Sequence, residues 1–319
     1  MIAAPGFADI TAARSRIASS VRCTPVLRSD FLDEELGAEL FFKCENLQVT
    51  GAFKARGAFN AVLNLPPALA LRGVVTHSSG NHGAALALAA RRRGIAAYVV
   101  APRTTPASKQ QNMLRFGAKL QLCEPTQAAR QAGAEQIIAA TGATLIHPFD
   151  NADVMAGQGT VALELLDQVP QLDAIVCPIG GGGLISGVAV AAHGVNEQIR
   201  ILGAEPASAD DAWRSRSAGV ITPVAQPSSS IADGLLATIA PSTFEVIRSQ
   251  VLAVGTVSEA QIVAAMRRIW EELKIIVEAS SAVPLAAALN GSVPVAGQRV
   301  GIILTGGNVD LQRLPWKQE

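Results

Sequence analysis

DAIVCPIGGGGLISG, residues 173–187, decides the fold. Ala174 to Ile179 is a short apolar run, and a run of that length reads as a strand covered on both faces. Four glycines follow, and then a helix that runs to Ala192. Strand, tight turn and helix form the repeating unit of a parallel α/β sheet. The glycines let the backbone turn its N–H groups toward one point, and the helix N-terminus adds a partial positive charge. A phosphate fits such a loop. Read alone, the same loop is also a plain flexible turn. A dinucleotide fingerprint needs glycine at 185, where Ile185 stands, so NAD is disfavoured.

The same alternation runs outward in both directions. A helix is expected over 10–20 with Asp9 as its cap, a strand over 38–45 and a helix over 52–63. Further strands are expected over 73–77, 96–102, 118–122, 198–205 and from 299. Helices are expected over 106–116, 126–140 and, strongly amphipathic, 258–273. Thr222–Ser230 and Asn64–Pro67 read as loops. No repeat or composition break divides the chain. Ligands in such sheets sit beyond the carboxyl ends of the strands.

Composition excludes several classes. The 319 residues are 49% hydrophobic and 16% charged, the reverse of a disordered chain. Basic and acidic residues number 26 each, so the net charge is zero and no nucleic-acid partner is indicated. The longest apolar run, Ala84–Ala90, is far short of the ~20 residues of a membrane span. The N-terminus lacks a basic stretch followed by an apolar one, so no signal peptide is read. Cys23, Cys44, Cys123 and Cys177 are widely spaced, which fits a reducing, cytoplasmic setting.

Three more loops gather chemistry. Lys54 sits at a helix start beside Phe53, where burial would turn its amine into a nucleophile; by itself it reads better as a surface lysine. THSSGNHG (76–83) puts hydroxyls, an amide and N–H groups at a helix N-terminus, which suits a carboxylate. It also reads as an ordinary cap by Ser79 or Asn81, with His82 a packed side chain. TGGN (305–308) ends a strand with a hydroxyl, or is a simple turn.

TGAFKARGA (50–58), SSGNHG (78–83), GGGGLISG (180–187) and TGGN (305–308), in this order, resemble the fold-type-II pyridoxal-phosphate (PLP) enzymes. The resemblance spans about 10–310 and points to the serine/threonine dehydratase and serine racemase branch. EASSAVPLAAAL (278–289) and TGGNVDLQRLPW (305–316) look most like bacterial 3-hydroxyaspartate dehydratases. The implied fold is α/β and tryptophan synthase β-like. It has two domains, each with a mainly parallel twisted sheet flanked by helices. Residues 1–47 and 149–319 would form the large domain, and 48–148 the small one inserted in it.

The resemblance also implies roles. Lys54 would carry PLP covalently, Phe53 pack on its ring and Asn81 bond the ring's 3′-oxygen. Gly180, Gly181, Gly182 and Gly183 would cradle the phosphate, Thr305 face the ring nitrogen and Gly234 lie beside the cofactor. Ser78, Ser79, Gly80, Asn81 and His82 would receive the substrate α-carboxylate, with Ser79 as acid/base opposite Lys54. Glu205, the Ala209 carbonyl and Asp211 would hold Mg²⁺, or Ca²⁺ or Mn²⁺; on spacing alone Asp210 and Asp211 cap a solvated helix. Arg130 would meet a substrate β-carboxylate, although spacing alone puts it on the exposed side of its helix. Ala52 replaces a usual serine, and Thr305 keeps the hydroxyl of the commoner serine.

The expected activity is a lyase of the ammonia-lyase type, EC 4.3.1. It would remove water from a β-hydroxy-α-amino acid and give a 2-oxo acid and ammonia. The best single substrate is 3-hydroxyaspartate, giving oxaloacetate, with L-serine or L-threonine close behind. A serine racemase with side dehydratase activity is the alternative, and a PLP-holding sensor a third reading that the pairing of Lys54 with Ser79 disfavours. A homodimer is expected from the family, with no nucleic-acid or membrane partner.

Overall fold

The computed structural model describes residues 2–78, 80–225 and 229–316. Its strands, in chain order, are β1 (Val26–Leu27), β2 (Glu39–Cys44), β3 (Val74–Thr76), β4 (Ala97–Pro102), β5 (Lys119–Cys123), β6 (Thr144–Leu145), β7 (Ala174–Pro178), β8 (Arg200–Pro206), β9 (Ala253–Val257) and β10 (Arg299–Leu304). They form a six-stranded sheet ordered β1-β2-β10-β7-β8-β9 and a four-stranded sheet ordered β5-β4-β3-β6. Every pair is parallel except β1 with β2. The expected α/β fold with two mainly parallel sheets is therefore present. In β10, Val300, Ile302, Ile303 and Leu304 are fully covered, as a strand with helices on both faces requires.

Two helices cross at very short range behind β7. A Cβ on Gly187 of the helix Gly183–Val195 would lie 2.3 Å from the Met155 carbonyl oxygen and 2.6 Å from the Gly159 nitrogen, both in the helix Ala152–Gln168. Glycine at 187 thus sets how closely the helix that follows the glycine loop can seat.

Several boundaries differ from expectation. The first helix is Phe7–Ile17, with Gly6 at the cap position. Asp9 lies inside the first turn, where its Oδ2 accepts from Gly6 N at 2.8 Å. The helix expected over 52–63 begins at Lys54, because Ala52 is held in a bridge to Gly306. The helices Ala152–Gln168 and Ala279–Leu289 escape sequence reading because they are covered nearly all round and show no polar stripe. Pro284 inside the second disguises it further. Of 222–230, the described residues form neither helix nor strand, and 226–228 lie outside them. Among the described residues no helix is long and apolar enough to cross a membrane.

Candidate active site

The loops after β3, β6, β7 and β10 meet where the helix Lys54–Asn64 begins. Backbone bonds set the position of Lys54. Ala52 bridges Gly306, and Phe53 N donates to Thr305 O at 2.9 Å. The Lys54 amine donates to the Pro148 carbonyl at 2.9 Å and lies 5.0 Å from the centre of the Phe53 ring. Burial pulls its pKa down to about 8, and the Glu278 carboxylate opposes the fall. A buried amine without an ion-pair partner is the state a nucleophilic lysine needs.

Phe149 walls the glycine loop. A Cβ on Gly181 would sit 2.4 Å from its ring atoms, and one on Gly183 2.8 Å from its Cβ. Gly182 has φ +84° and caps the helix Gly183–Val195, in a backbone region that side-chain-bearing residues avoid. Gly180 packs on Gly234, whose N–H donates to Ser280 Oγ at 3.1 Å. The result is a cradle of bare backbone at a helix N-terminus, built to receive an anion.

Asn81, the first residue of the helix Asn81–Arg93, is fixed from both sides. Its Nδ2 donates to Glu278 Oε1 at 2.8 Å, and its Oδ1 accepts from Asn308 Nδ2 at 2.8 Å. Asn308 is itself anchored on Thr50 O at 2.9 Å. One N–H of Asn81 is left for a ligand. Glu278 was not singled out from sequence; its only signal there is an acid placed directly before an apolar helix. Burial and the charge of Asp233 raise it to about 7. Thr305 is buried, with its hydroxyl 3.0 Å from Ser281 Oγ.

Gly80 takes the cap position of its helix, in place of Ser79 or Asn81. Ser78 lies two residues before it, and Ser79 lies outside the described residues. His82 is 1% exposed; its Nε2 lies 3.2 Å from Ile146 O, and its Nδ1 has no partner among the described residues. Burial, then Lys54, lowers it to about 3, so it is a neutral packed imidazole. His147 stacks edge-on between His77 and Phe149, at 5.1 and 4.6 Å, and burial with His77 lowers it to about 4. Arg130 stands in the first turn of the helix Gln127–Thr141, half-buried, with an unpaired buried Nε, and its charge acts on His77.

The second group lies at the end of β8. Glu205 is fully buried and accepts from Ala212 N at 3.1 Å and Trp213 N at 2.9 Å. Asp211 is fully buried as well; its Oδ2 accepts from Ile239 N at 2.8 Å, and its Oδ1 has no partner among the described residues. Burial and Asp211 push Glu205 well up, and burial pushes Asp211 to about 6. Ala209 is buried between them in sequence. Among the described residues no cluster of three or more His, Cys, Asp or Glu side chains suits a metal, so a cation here would need carbonyl or water oxygens too.

Comparison with known proteins agrees with this geometry. A beta-hydroxyaspartate dehydratase of Paracoccus denitrificans is 48% identical over 312 residues, covering 98% of this chain and 99% of that one. A serine racemase of Arabidopsis thaliana is also 48% identical, over 96% of this chain and 94% of that one. The solved structure of maize serine racemase superposes with a TM-score of 0.95 at 46% identity, covering 97% of this chain and 95% of that one. Residues 17–306 match the profile of one family, and the chain belongs to it: the pyridoxal-phosphate dependent enzymes.

Proposed function

We propose that this enzyme is a hydroxy-amino-acid ammonia-lyase that converts 3-hydroxyaspartate to oxaloacetate and ammonia, with L-serine and L-threonine as slower substrates. The observation that carries it is the Lys54 amine, lowered to about 8 where four strand-end loops meet, in a chain 48% identical to a beta-hydroxyaspartate dehydratase.

The residues fit PLP. The glycine loop leaves no room for side chains and offers N–H groups to a phosphate, while Asn81 keeps one donor free. Lys54 would hold the cofactor, Phe53 cover its ring, and Thr305 place a hydroxyl at the ring nitrogen. Bound there, PLP supplies the electron sink for loss of the Cα proton. The chain supplies the rest. The Lys54 amine would act as the base that takes the Cα proton. Hydroxide departs from Cβ and takes up a proton, and the released enamine adds water and breaks down to oxo acid and ammonia. Ser78, Ser79, Gly80 and Asn81 receive the α-carboxylate, and Arg130 the β-carboxylate.

The residues also fit a divalent cation, Mg²⁺ first. Asp211 Oδ1 is buried and unpartnered beside buried Glu205, and the Ala209 carbonyl is a third oxygen donor. We assign 48–148, which contains the four-stranded sheet, to a small domain inserted between 1–47 and 149–319. We further propose a cytoplasmic homodimer. Four free cysteines support a reducing compartment, and exposed Leu47 and Ile276, drawn together by Asn46 Nδ2 on Ile276 O at 3.0 Å, support an apolar contact between copies.

A second reading, amino-acid racemase, has its own support in the equal identity to a serine racemase. Proton NMR in D₂O with PLP and Mg²⁺ separates the two. Fast oxo-acid formation from one 3-hydroxyaspartate diastereomer supports the lyase. Cα deuteration with loss of chirality and little oxo acid makes it a racemase.

A further inference from the structure

Between the Asp211 carboxylate and the glycine loop runs an unbroken buried connection. Asp211 Oδ2 accepts from Ile239 N at 2.8 Å. The next residue, Ala240, donates its N–H to Thr243 Oγ1 at 3.0 Å. That hydroxyl lies 2.9 Å from the Gly181 carbonyl oxygen. Asp211 and Thr243 are fully buried, Ile239 is 3% exposed and Ala240 8%, so water does not replace a broken link. Thr243 also sets the shape of the loop, since a Cβ on Gly182 would fall 2.7 Å from its own Cβ. A second strut leaves the same helix turn: Ser242 Oγ donates to Asp150 Oδ1 at 2.5 Å, next to the Phe149 ring that walls Gly181 and Gly183.

We propose that Thr243 is a positioning residue through which occupancy of the Glu205–Asp211 site by a divalent cation tightens the grip of the glycine loop on the cofactor phosphate. The inference rests on the readings of those two sites given above. A cation on Asp211 Oδ1 fixes the plane of the carboxylate whose other oxygen holds Ile239. Ile239 and Ala240 then hold the Thr243 hydroxyl, and the hydroxyl holds Gly181 with its N–H groups turned to the anion. Two ligands that order one segment bind each other's complex more tightly, and by the same factor in both directions.

The holoenzyme is dialysed to equilibrium with limiting PLP, in EDTA or in saturating Mg²⁺, and retained cofactor is read from its absorbance. Mg²⁺ binding is measured separately by calorimetry. The wild type should hold PLP about tenfold more tightly with Mg²⁺, within the usual range of coupled sites. Thr243→Val keeps the side-chain bulk and loses the hydroxyl; its dependence should shrink to about twofold or less, from the same coupling estimate. Thr243→Ser should restore it. A Thr243→Val variant that retains the full dependence overturns the inference while leaving both sites in place. Mg²⁺ that binds without changing PLP retention does the same. Absence of Mg²⁺ binding by calorimetry removes the cation site and the coupling together. Should Thr243→Val not fold, hydrogen exchange on the wild-type holoenzyme decides: Mg²⁺ must slow the amides of 239–244 and 181–184 together, and slowing of the first set alone overturns the link.

Discussion

Replacing Arg56 by Met should cost this protein about 3–5 kcal/mol, the range for breaking a buried ion pair. Arg56 is 1% exposed and stands two residues after Lys54. Its guanidinium meets two carboxylates in forked pairs. Nε and Nη2 donate to Glu45 at 2.8 and 2.7 Å, and Nη1 and Nη2 donate to Glu164 at 3.0 Å each. Lys43, fully buried, donates to Glu164 Oε1 at 2.6 Å, so two cations balance two anions. Without Arg56 the buried Glu45 carboxylate keeps, among the described residues, the Thr24 hydroxyl at 2.6 Å. The Glu164 carboxylate reports the two cations together. Burial raises Glu164, but bonds and charge from Arg56 and then Lys43 outweigh it and bring it down to about 2 from 4.5. That shift corresponds to about 3 kcal/mol at neutral pH, shared between Arg56 and Lys43, so Arg56 accounts for part of it. The folded state has the lower value, so the contribution is complete above pH 4.5 and drains away as pH falls toward 2. Thermal melts at one fixed PLP concentration should show Arg56→Met lowered by roughly 5–10 °C near neutrality. The deficit should narrow by up to about 1 kcal/mol between pH 5 and pH 3.5. A deficit under about 1 kcal/mol, or one that ignores pH, refutes the claim that this cluster anchors the Lys54 helix.

Other outcomes follow from the site. Lys54→Ala should lose turnover and the absorbance of bound cofactor; measurable turnover sinks the mechanism. PLP uptake by the apoprotein needs the neutral amine, so its rate should climb through pH 8 and level off above it, and a plateau already reached at pH 6 contradicts the burial argument. Arg130→Ala should lower kcat/KM for 3-hydroxyaspartate about 10- to 100-fold, the worth of a charge-assisted bond, and leave serine nearly unchanged. Equal losses would take Arg130 out of the substrate site. Glu205→Gln should weaken Mg²⁺ by at least about tenfold in calorimetry, the low end of what losing even a supporting partner costs, because a neutral amide oxygen does not replace the charge of a carboxylate ligand; undiminished binding places the cation elsewhere.

What could be read from sequence were the places where backbone geometry dictates residue type. The glycines at 180–183 are legible because any side chain there would strike Phe149, Thr243 or Gly234. Short apolar runs gave away β4, β7 and β8, whose residues have no polar face to hide. What stayed hidden depended on long-range contact. Glu278 is 197 residues from Asn81, and nothing in the chain near either one signals that they bond. Thr243 reads as an ordinary residue in a first helical turn, yet its hydroxyl serves a carbonyl 62 positions earlier. The helix Ala152–Gln168 hides for a different reason. Buried from Val154 to Leu163 without a break, it lacks the polar stripe that marks surface helices.

The charges in the site suggest why so much of its recognition rests on backbone. Lys54 is held at about 8 and Glu278 at about 7, while His147 and His82 lie at about 4 and 3. At neutral pH the two imidazoles carry no charge, and burial favours the protonated form of Glu278. A fixed cation beside Lys54 would hold the phosphate or the α-carboxylate more strongly, but it would also lower the amine further and compete for the same anions. Dipoles avoid that conflict. The N-termini of the helices Asn81–Arg93 and Gly183–Val195 offer N–H groups in fixed directions and cannot exchange a proton with Lys54. Arg130 is the exception, and its guanidinium acts on His77 rather than among the charges that set Lys54. On the proposed reading, that positive charge would be available to a second substrate carboxylate without disturbing Lys54, and it would separate a dicarboxylic substrate from serine.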